Sequence, residues 1–425
     1  MMTGCQFLEG YVPDFDATVV TRVLDAGGVI LGKANCEELC NSIHSMTSAS
    51  GPVLHPSVTG HSPGGSSSGC AVLLATKEVD IAIGGDQGGS VRSPASWCGL
   101  VGLKPTFGLV PYTGGASREF VVDYLCPMAR TVDDCALMLE VIAGYDDGKD
   151  ARQPRDLIVP NYTEQLKDVD TRGLRIALLE EGFGHKNSNP EVDKLIRHRI
   201  GLFAAVFRSK VDDVSIPLHS AGQAIGKVIG NIGGIDAIFS TGGVGLHHTG
   251  VYPTSMMRGV ASGLALYARE MHPYNKMQIL TGSYLKENNY LHLYGKAQNL
   301  RRQLTRDYDK VLEDYDVIAM PTVPITAPPP LKSDASFREL MEYCSDVEVN
   351  LKPGNLTGHP SISINAGNLG CSPVGLLLTG KKFGELRLLQ IARAFENFVE
   401  VNANHFEDNI GSTGACEIFP KAREN

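Results

Sequence analysis

The chain has 425 residues, 43% of them hydrophobic and 20% charged, a balance that excludes disorder as the default and suffices for one large core or two lobes. Net charge is −9 and no cluster of Lys or Arg is longer than Arg301-Arg302, so no surface tracks phosphates and no nucleic-acid partner is expected. No apolar run reaches the ~20 residues of a membrane helix, and MMTGCQFLEG lacks the basic and apolar regions of a leader, so a soluble, unexported, cytoplasmic protein without a membrane partner is expected.

In chain order, Asp16 reads as the N-cap of a helix from Ala17 to Ala26, with Val19, Val20, Val23 and Leu24 on one face and a stop at Gly27-Gly28. Val29-Ile30-Leu31 then reads as a buried strand. Cys36 and Cys40 stand one helical turn apart, but no second Cys or His pair of matching spacing follows, so core-facing helical thiols are expected and neither metal nor cofactor. The ten cysteines are scattered singly, the pattern of free thiols in a reducing compartment.

Further along, Cys70 to Thr76 reads as a short helix and Asp80 to Gly84 as a strand. Thr131 with Asp134 forms a capping pattern before an apolar helix that ends at Gly144, Leu174 to Leu179 is a strand, and Asn189-Pro190 opens another helix. Residues 218–252, rich in Gly, Ser and His, break the periodicity and read as specificity loops, with His247 and His248 pointing apart. A helix from Tyr294 to Glu313, strands at Val317 to Met320, Ser361 to Asn365 and Val374 to Thr379, and a helix from Glu385 to Val399 follow. Residues 401–425 read as a polar tail. The alternation implies an α/β fold, residues 1–400 forming one domain around a largely parallel or mixed central sheet with helices on both faces.

Two glycine-serine loops carry the chemistry. Ser62-Pro63-Gly64-Gly65-Ser66-Ser67-Ser68-Gly69 and Asp86-Gln87-Gly88-Gly89-Ser90-Val91-Arg92 are each short and bounded by core elements, unlike flexible linkers, and can meet at one sheet edge. A serine hydroxyl needs a base to become a nucleophile. A developing oxyanion needs aimed donors, and the consecutive N–H groups of Gln87, Gly88, Gly89 and Ser90 offer such a row. Asp86 and Arg92 read equally well as a lock on that loop or as an ordinary buried ion pair.

These segments, with Gly99 to Thr106, resemble the amidase signature family, whose core reads approximately SPGGSSGG, GxDxGGSxRxP and GxxGxKPT. The likeness extends outward through Gly10-Tyr11-Val12-Pro13, Gly32-Lys33-Ala34-Asn35 and Asn355-Leu356-Thr357-Gly358-His359-Pro360, and covers about residues 1 to 400. The resemblance implies an amidase-signature fold and a Ser-Ser-Lys triad: Ser90 as nucleophile, Ser66 in a cis peptide after Gly65 as proton relay, Gln87, Gly88 and Gly89 around the oxyanion, and Asp86, Arg92 and Ser67 in support. It further implies hydrolysis of a small carboxylic acid amide to the acid and ammonia without a cofactor, with self-association into a homodimer left open. Ser68 departs from the family pattern, which has glycine there.

The family's triad lysine sits in a VxxKDN strand ahead of the segment that Met1 to Val12 resembles, and no such motif occurs here. Lys33 and Lys104 belong to other family motifs. The fold is therefore expected to lack its N-terminal part, as a truncated form of an active amidase or as a shortened, weakly active or purely binding relative. Gly65-Ser66-Ser67-Ser68-Gly69 also satisfies G-x-S-x-G with Ser67 as nucleophile, but that elbow must follow a strand, and the preceding His55 to Pro63 has two prolines and no apolar run.

Overall fold

The computed structural model describes residues 3–167 and 170–402. Eight strands form one sheet: β1 Ile81–Gly85, β2 Val101–Lys104, β3 Leu125–Ala129, β4 Arg175–Leu179, β5 Lys210–Val214, β6 Val317–Pro321, β7 Ser361–Leu369 and β8 Ser372–Thr379. Their spatial order is β1-β3-β2-β7-β8-β6-β4-β5. The sheet is mixed rather than largely parallel, since only β4 pairs in parallel, with β5 and β6, and the other pairings are antiparallel.

Thirteen α-helices are described: α1 Thr18–Asp25, α2 Ser68–Ala75, α3 Arg92–Cys98, α4 Val132–Ile142, α5 Tyr162–Gln165, α6 Pro190–Phe207, α7 Gly222–Gly234, α8 Thr254–Tyr267, α9 Pro273–Glu287, α10 Leu291–Asp314, α11 Phe337–Tyr343, α12 Lys352–Thr357 and α13 Glu385–Val401. Alternate strand residues face opposite layers, as the two-residue period requires. Ile176 and Leu178 of β4 pack with Leu139 of α4, Phe203 of α6 and Phe395 of α13, while Ala177 and Leu179 pack with Ile229 of α7 and Leu304 and Tyr308 of α10.

Local signals hold where one segment carries them alone. Thr131 accepts from the Asp134 N–H to cap α4, and Asn189 accepts from the Glu191 N–H with Pro190 opening α6. At α1 the N-cap is Ala17, without a side-chain cap, and not Asp16. Val29-Ile30-Leu31 form no strand and are exposed, at 81%, 46% and 73%: an apolar triplet becomes a strand only where a neighbour pairs with its backbone.

The segment expected to be loops over 218–252 is largely helical, with α7 followed by a π-turn at Ile235–Ser240. Its glycines are packing positions. A Cβ at Gly222 would lie 2.7 Å from Pro353 of α12, and one at Gly282 of α9 would lie 2.2 Å from the Asn231 carbonyl of α7, so these helices approach too closely for larger residues. His247 and His248 do sit in the loop after it. Cys36 lies outside any helix and Cys40 ends a 3-10 turn, so the pair is not helical, and Cys371 is disulfide-bonded while eight other cysteines are free. The polar tail expected from residue 401 lies outside the described residues beyond Asn402. Among the described residues no helix is long and apolar enough to cross a membrane, and no cluster of His, Cys, Asp and Glu could hold a metal.

Two substitutions test this burial pattern by urea unfolding. Leu31→Ser, at a side chain without core contacts, changes stability by less than about 0.5 kcal/mol. Leu378→Ala, in β8 and 2% exposed, costs about 2–5 kcal/mol. Equal effects would contradict the exposed placement of residues 29–31.

Candidate active site

The two glycine-serine loops meet at the end of β1, which leads into the second of them. The Ser67 N–H donates to the Ser90 carbonyl at 3.2 Å, and the Ser67 hydroxyl donates to the Gly85 carbonyl at 3.3 Å. Ser67 is the residue before α2, and no strand precedes it, so it does not form a nucleophile elbow. The Gly65-Ser66 peptide is cis. The Ser66 carbonyl accepts from the Glu37 N–H at 3.1 Å, while its buried hydroxyl has no hydrogen-bond partner of ordinary length. The Cys40 thiol lies near it and is pulled below the ordinary thiol value, chiefly by the Cys36 thiol against the opposing effect of burial, with Ser66 adding to the shift.

The Ser90 loop leaves β1 at Gly85 and enters α3 at Arg92. Gly89 has φ of +118°, and a Cβ there would also lie 2.4 Å from Leu351 Cδ1, so only glycine fits. The Gly89 N–H donates to Asp86 Oδ1 at 2.7 Å and the Val91 N–H to Oδ2 at 3.2 Å. The row of donors expected for an oxyanion is therefore shorter than the sequence implied: Gly89's N–H serves the loop's own carboxylate, which leaves those of Gln87, Gly88 and Ser90. The Gln87 side chain donates to the Tyr112 hydroxyl at 3.1 Å.

Asp86 and Arg92 have no exposed side-chain surface and meet through two contacts of 3.0 Å, Nε to Oδ2 and Nη2 to Oδ1. Burial alone would push the Asp86 carboxyl up, but the Arg92 guanidinium and the Asn355 amide hold it well below the usual carboxylate range. Arg92 also donates to the Leu351 carbonyl at 3.1 Å, Ser361 Oγ at 3.2 Å and Asn355 Oδ1 at 2.7 Å. Asn355 in turn donates to the Asp86 carbonyl and carboxylate at 2.9 and 2.8 Å. Asn355 was visible in the sequence only within a matching segment; its place in this network comes from a residue 269 positions away in the chain.

Of the two lysines that belong to other motifs, Lys33 is exposed. Lys104 is fully buried, donates to the Pro105 carbonyl at 2.8 Å and sits 3.9 Å over the Tyr124 ring. Burial, with the Arg92 charge adding, pushes its ammonium down to about 7.

A cavity of about 120 Å³ opens beside Gln87, lined also by Asn41, Arg118, Glu119, Tyr274 and Lys352. None of these others was singled out in the sequence, because they come from separated segments. Glu119 is pushed up to about 7, first by burial and then by Asp123, which burial itself raises to about 6.

A family model described as Amidase matches residues 1–389. The chain belongs to the amidase signature family. The enantioselective amidase of Rhodococcus rhodochrous is 36% identical over 94% of this chain and 77% of its own length. A glutamyl-tRNA(Gln) amidotransferase subunit from Synechococcus sp. strain RCC307 is 35% identical over 95% of this chain and 81% of its own. Among solved structures, the corresponding glutamyl-tRNA(Gln) amidotransferase subunit from Thermotoga maritima superposes with a TM-score of 0.74 at 30% identity, over 93% of this chain and 79% of that one. A bacterial aryl acylamidase of the amidase signature family shares the fold, with a TM-score of 0.75 at 22% identity over 90% of this chain and 75% of that one. Membership in the family supports amide hydrolysis as the chemistry of this chain.

Arg92→Met leaves the Asp86 charge buried without its partner and is expected to cost about 3–5 kcal/mol in urea unfolding. Arg92→Lys does not restore it, since an ammonium cannot replace a planar fork of five donors. A cost below about 1 kcal/mol for Arg92→Met would contradict the network.

Glu119 supplies a pH dependence. Its folded value near 7 stands above the ordinary 4.5, so between these the folded chain holds a proton that the unfolded chain has lost. Stability from this group is full below pH 4.5 and declines as pH rises through 7. Glu119→Gln should leave the melting temperature at about pH 4 nearly unchanged and raise it at about pH 8 by about 2 °C or more. An unchanged difference between variant and parent across this range would contradict the shift.

Proposed function

We propose that this protein hydrolyses a small, linear carboxylic acid amide to the acid and ammonia through an acyl-serine intermediate. The observation that carries the reading is the Ser67 N–H to Ser90 carbonyl contact, which ties the Ser66 loop to the Ser90 loop, and the latter contributes Gln87 to a cavity. In this reading Ser90 Oγ forms a bond to the amide carbon and its proton passes to Ser66, while the Gln87, Gly88 and Ser90 N–H groups face the developing oxyanion. The C–N bond then breaks, ammonia leaves with a proton, and water cleaves the ester to the acid. Asp86 and Arg92 hold the loop in shape, and Ser67 fixes the two loops to one another.

The proton acceptor beyond Ser66 is, by family resemblance, a lysine for which these 425 residues hold no matching motif. The unpartnered Ser66 hydroxyl favours a second reading, an amidase-like protein that binds an amide with little turnover. The Synechococcus relative is named as one component of an amidotransferase, so either reading leaves room for a protein partner.

A fluorophosphonate probe for activated serines separates the two. Labelling of the parent, lost in Ser90→Ala and kept in Ser67→Ala, supports hydrolysis, and Ser90→Ala should lower kcat/KM by about 10³-fold or more. Labelling that survives Ser90→Ala overturns the assignment. A parent that is never labelled, yet is stabilised by a bound amide, supports the second reading.

A further inference from the structure

The cavity beside Gln87 is cationic in a chain of net charge −9: Arg118, Lys227 and Lys352 line it against Glu119 and Glu348. Both acids are already engaged. Glu348 Oε2 lies 3.2 Å from Lys352 Nζ, and Glu119 accepts from the Tyr294 hydroxyl at 3.2 Å. With its carboxyl raised to about 7, Glu119 carries only part of a negative charge at neutral pH.

Arg118 is different. Its guanidinium donates to the uncharged Gln278 Oε1 at 2.7 Å and joins no ion pair among the described residues. Its backbone is fixed by a 2.9 Å hydrogen bond from its N–H to Asp123 Oδ2. Arg118 and Lys352 stand near enough for the Arg118 charge to help lower the Lys352 ammonium, after the larger effect of burial and against the pull of Glu348. Arg118 and the largely buried Lys352 thus have between them the one ion pair that Lys352 makes with Glu348, a deficit that one ligand carboxylate would fill with charge-assisted hydrogen bonds.

Lys352 also fixes where that carboxylate sits relative to the reacting carbonyl. A Cβ on Gly88 would lie 2.3 Å from Lys352 Nζ, so the ammonium rests against the loop that presents the Gln87, Gly88 and Ser90 N–H groups. Gly88 stands two residues before Ser90, so a ligand that reaches both Lys352 and Ser90 is a short one.

We infer that the substrate is a short monoamide of a dicarboxylic acid, its free carboxylate held between Arg118 and Lys352. This rests on the hydrolysis at Ser90 proposed above. The products are then the dicarboxylate and ammonia, with the acyl ester on Ser90 formed as the C–N bond breaks and cleaved by water.

The test compares kcat/KM for succinamate with that for uncharged butanamide, in the parent, Arg118→Gln and Arg118→Lys. The parent should favour succinamate by about tenfold or more. Arg118→Gln should reduce that preference roughly 10- to 100-fold, mainly through KM, and Arg118→Lys should recover part of it. Equal use of the two amides by the parent, or a preference unchanged in Arg118→Gln, overturns the inference. Failure of hydrolysis itself is a separate outcome: if neither amide is cleaved, succinate is titrated into the Ser90→Ala protein by calorimetry. Saturable binding weakened about tenfold by Arg118→Gln supports the anion site, and absence of binding overturns it.

Discussion

A carboxylate and a guanidinium with no access to water, Asp86 and Arg92, set the shape of everything around Ser90. Burying such a pair is costly unless every lone pair and proton finds a partner. Here they do. The five N–H positions of Arg92 reach Asp86 twice and Leu351, Ser361 and Asn355 once each, while Asp86 accepts from Gly89, Val91, Asn355 and Arg92. The pair therefore joins the Ser90 loop to α12 and to the first residue of β7. A loop rich in glycine would otherwise sample many conformations, and this network selects one.

The same network explains how a cavity of opposite charge arises in an acidic protein. Asn355 pins α12 to Asp86, which places Leu351 and Lys352 against Gly89 and Gly88. Glycines then let α7 settle onto this platform, since a Cβ at Gly226 would lie 3.0 Å from Lys352 Cδ. Arg118 enters from the loop before β3, held by Asp123. Net charge describes the whole surface, whereas the cavity collects three cations from segments that share nothing in sequence.

Much of the framework was legible because its signals are local. Capping at Thr131 and Asn189, the apolar runs of β6, β7 and β8, and the amphipathic faces of α10 and α13 need no distant partner to be recognised. Readings failed where the outcome depended on a neighbour. Val29-Ile30-Leu31 has the composition of a strand but no pairing strand in the described chain, and 222–234 has the glycine content of a loop but the packing of a helix. In the second case glycine marks close approach between helices instead of a break. The direction of the strand pairings was equally hidden, because β2 meets β7 across a long intervening stretch of chain.

The sequence by itself determined the family and the two loops that bear Ser66 and Ser90, because order and spacing along the chain carry that information, and it left the role of Asp86 and Arg92 open. Only the tertiary structure decided that Gly89's N–H is turned toward Asp86, that Asn355 completes the lock, and that Arg118 and Lys352 face one cavity. The physical reason is that hydrogen bonds and electrostatic fields act over a few ångströms of space. Residues far apart in the chain come within that range only once the sheet and its two helical layers have packed.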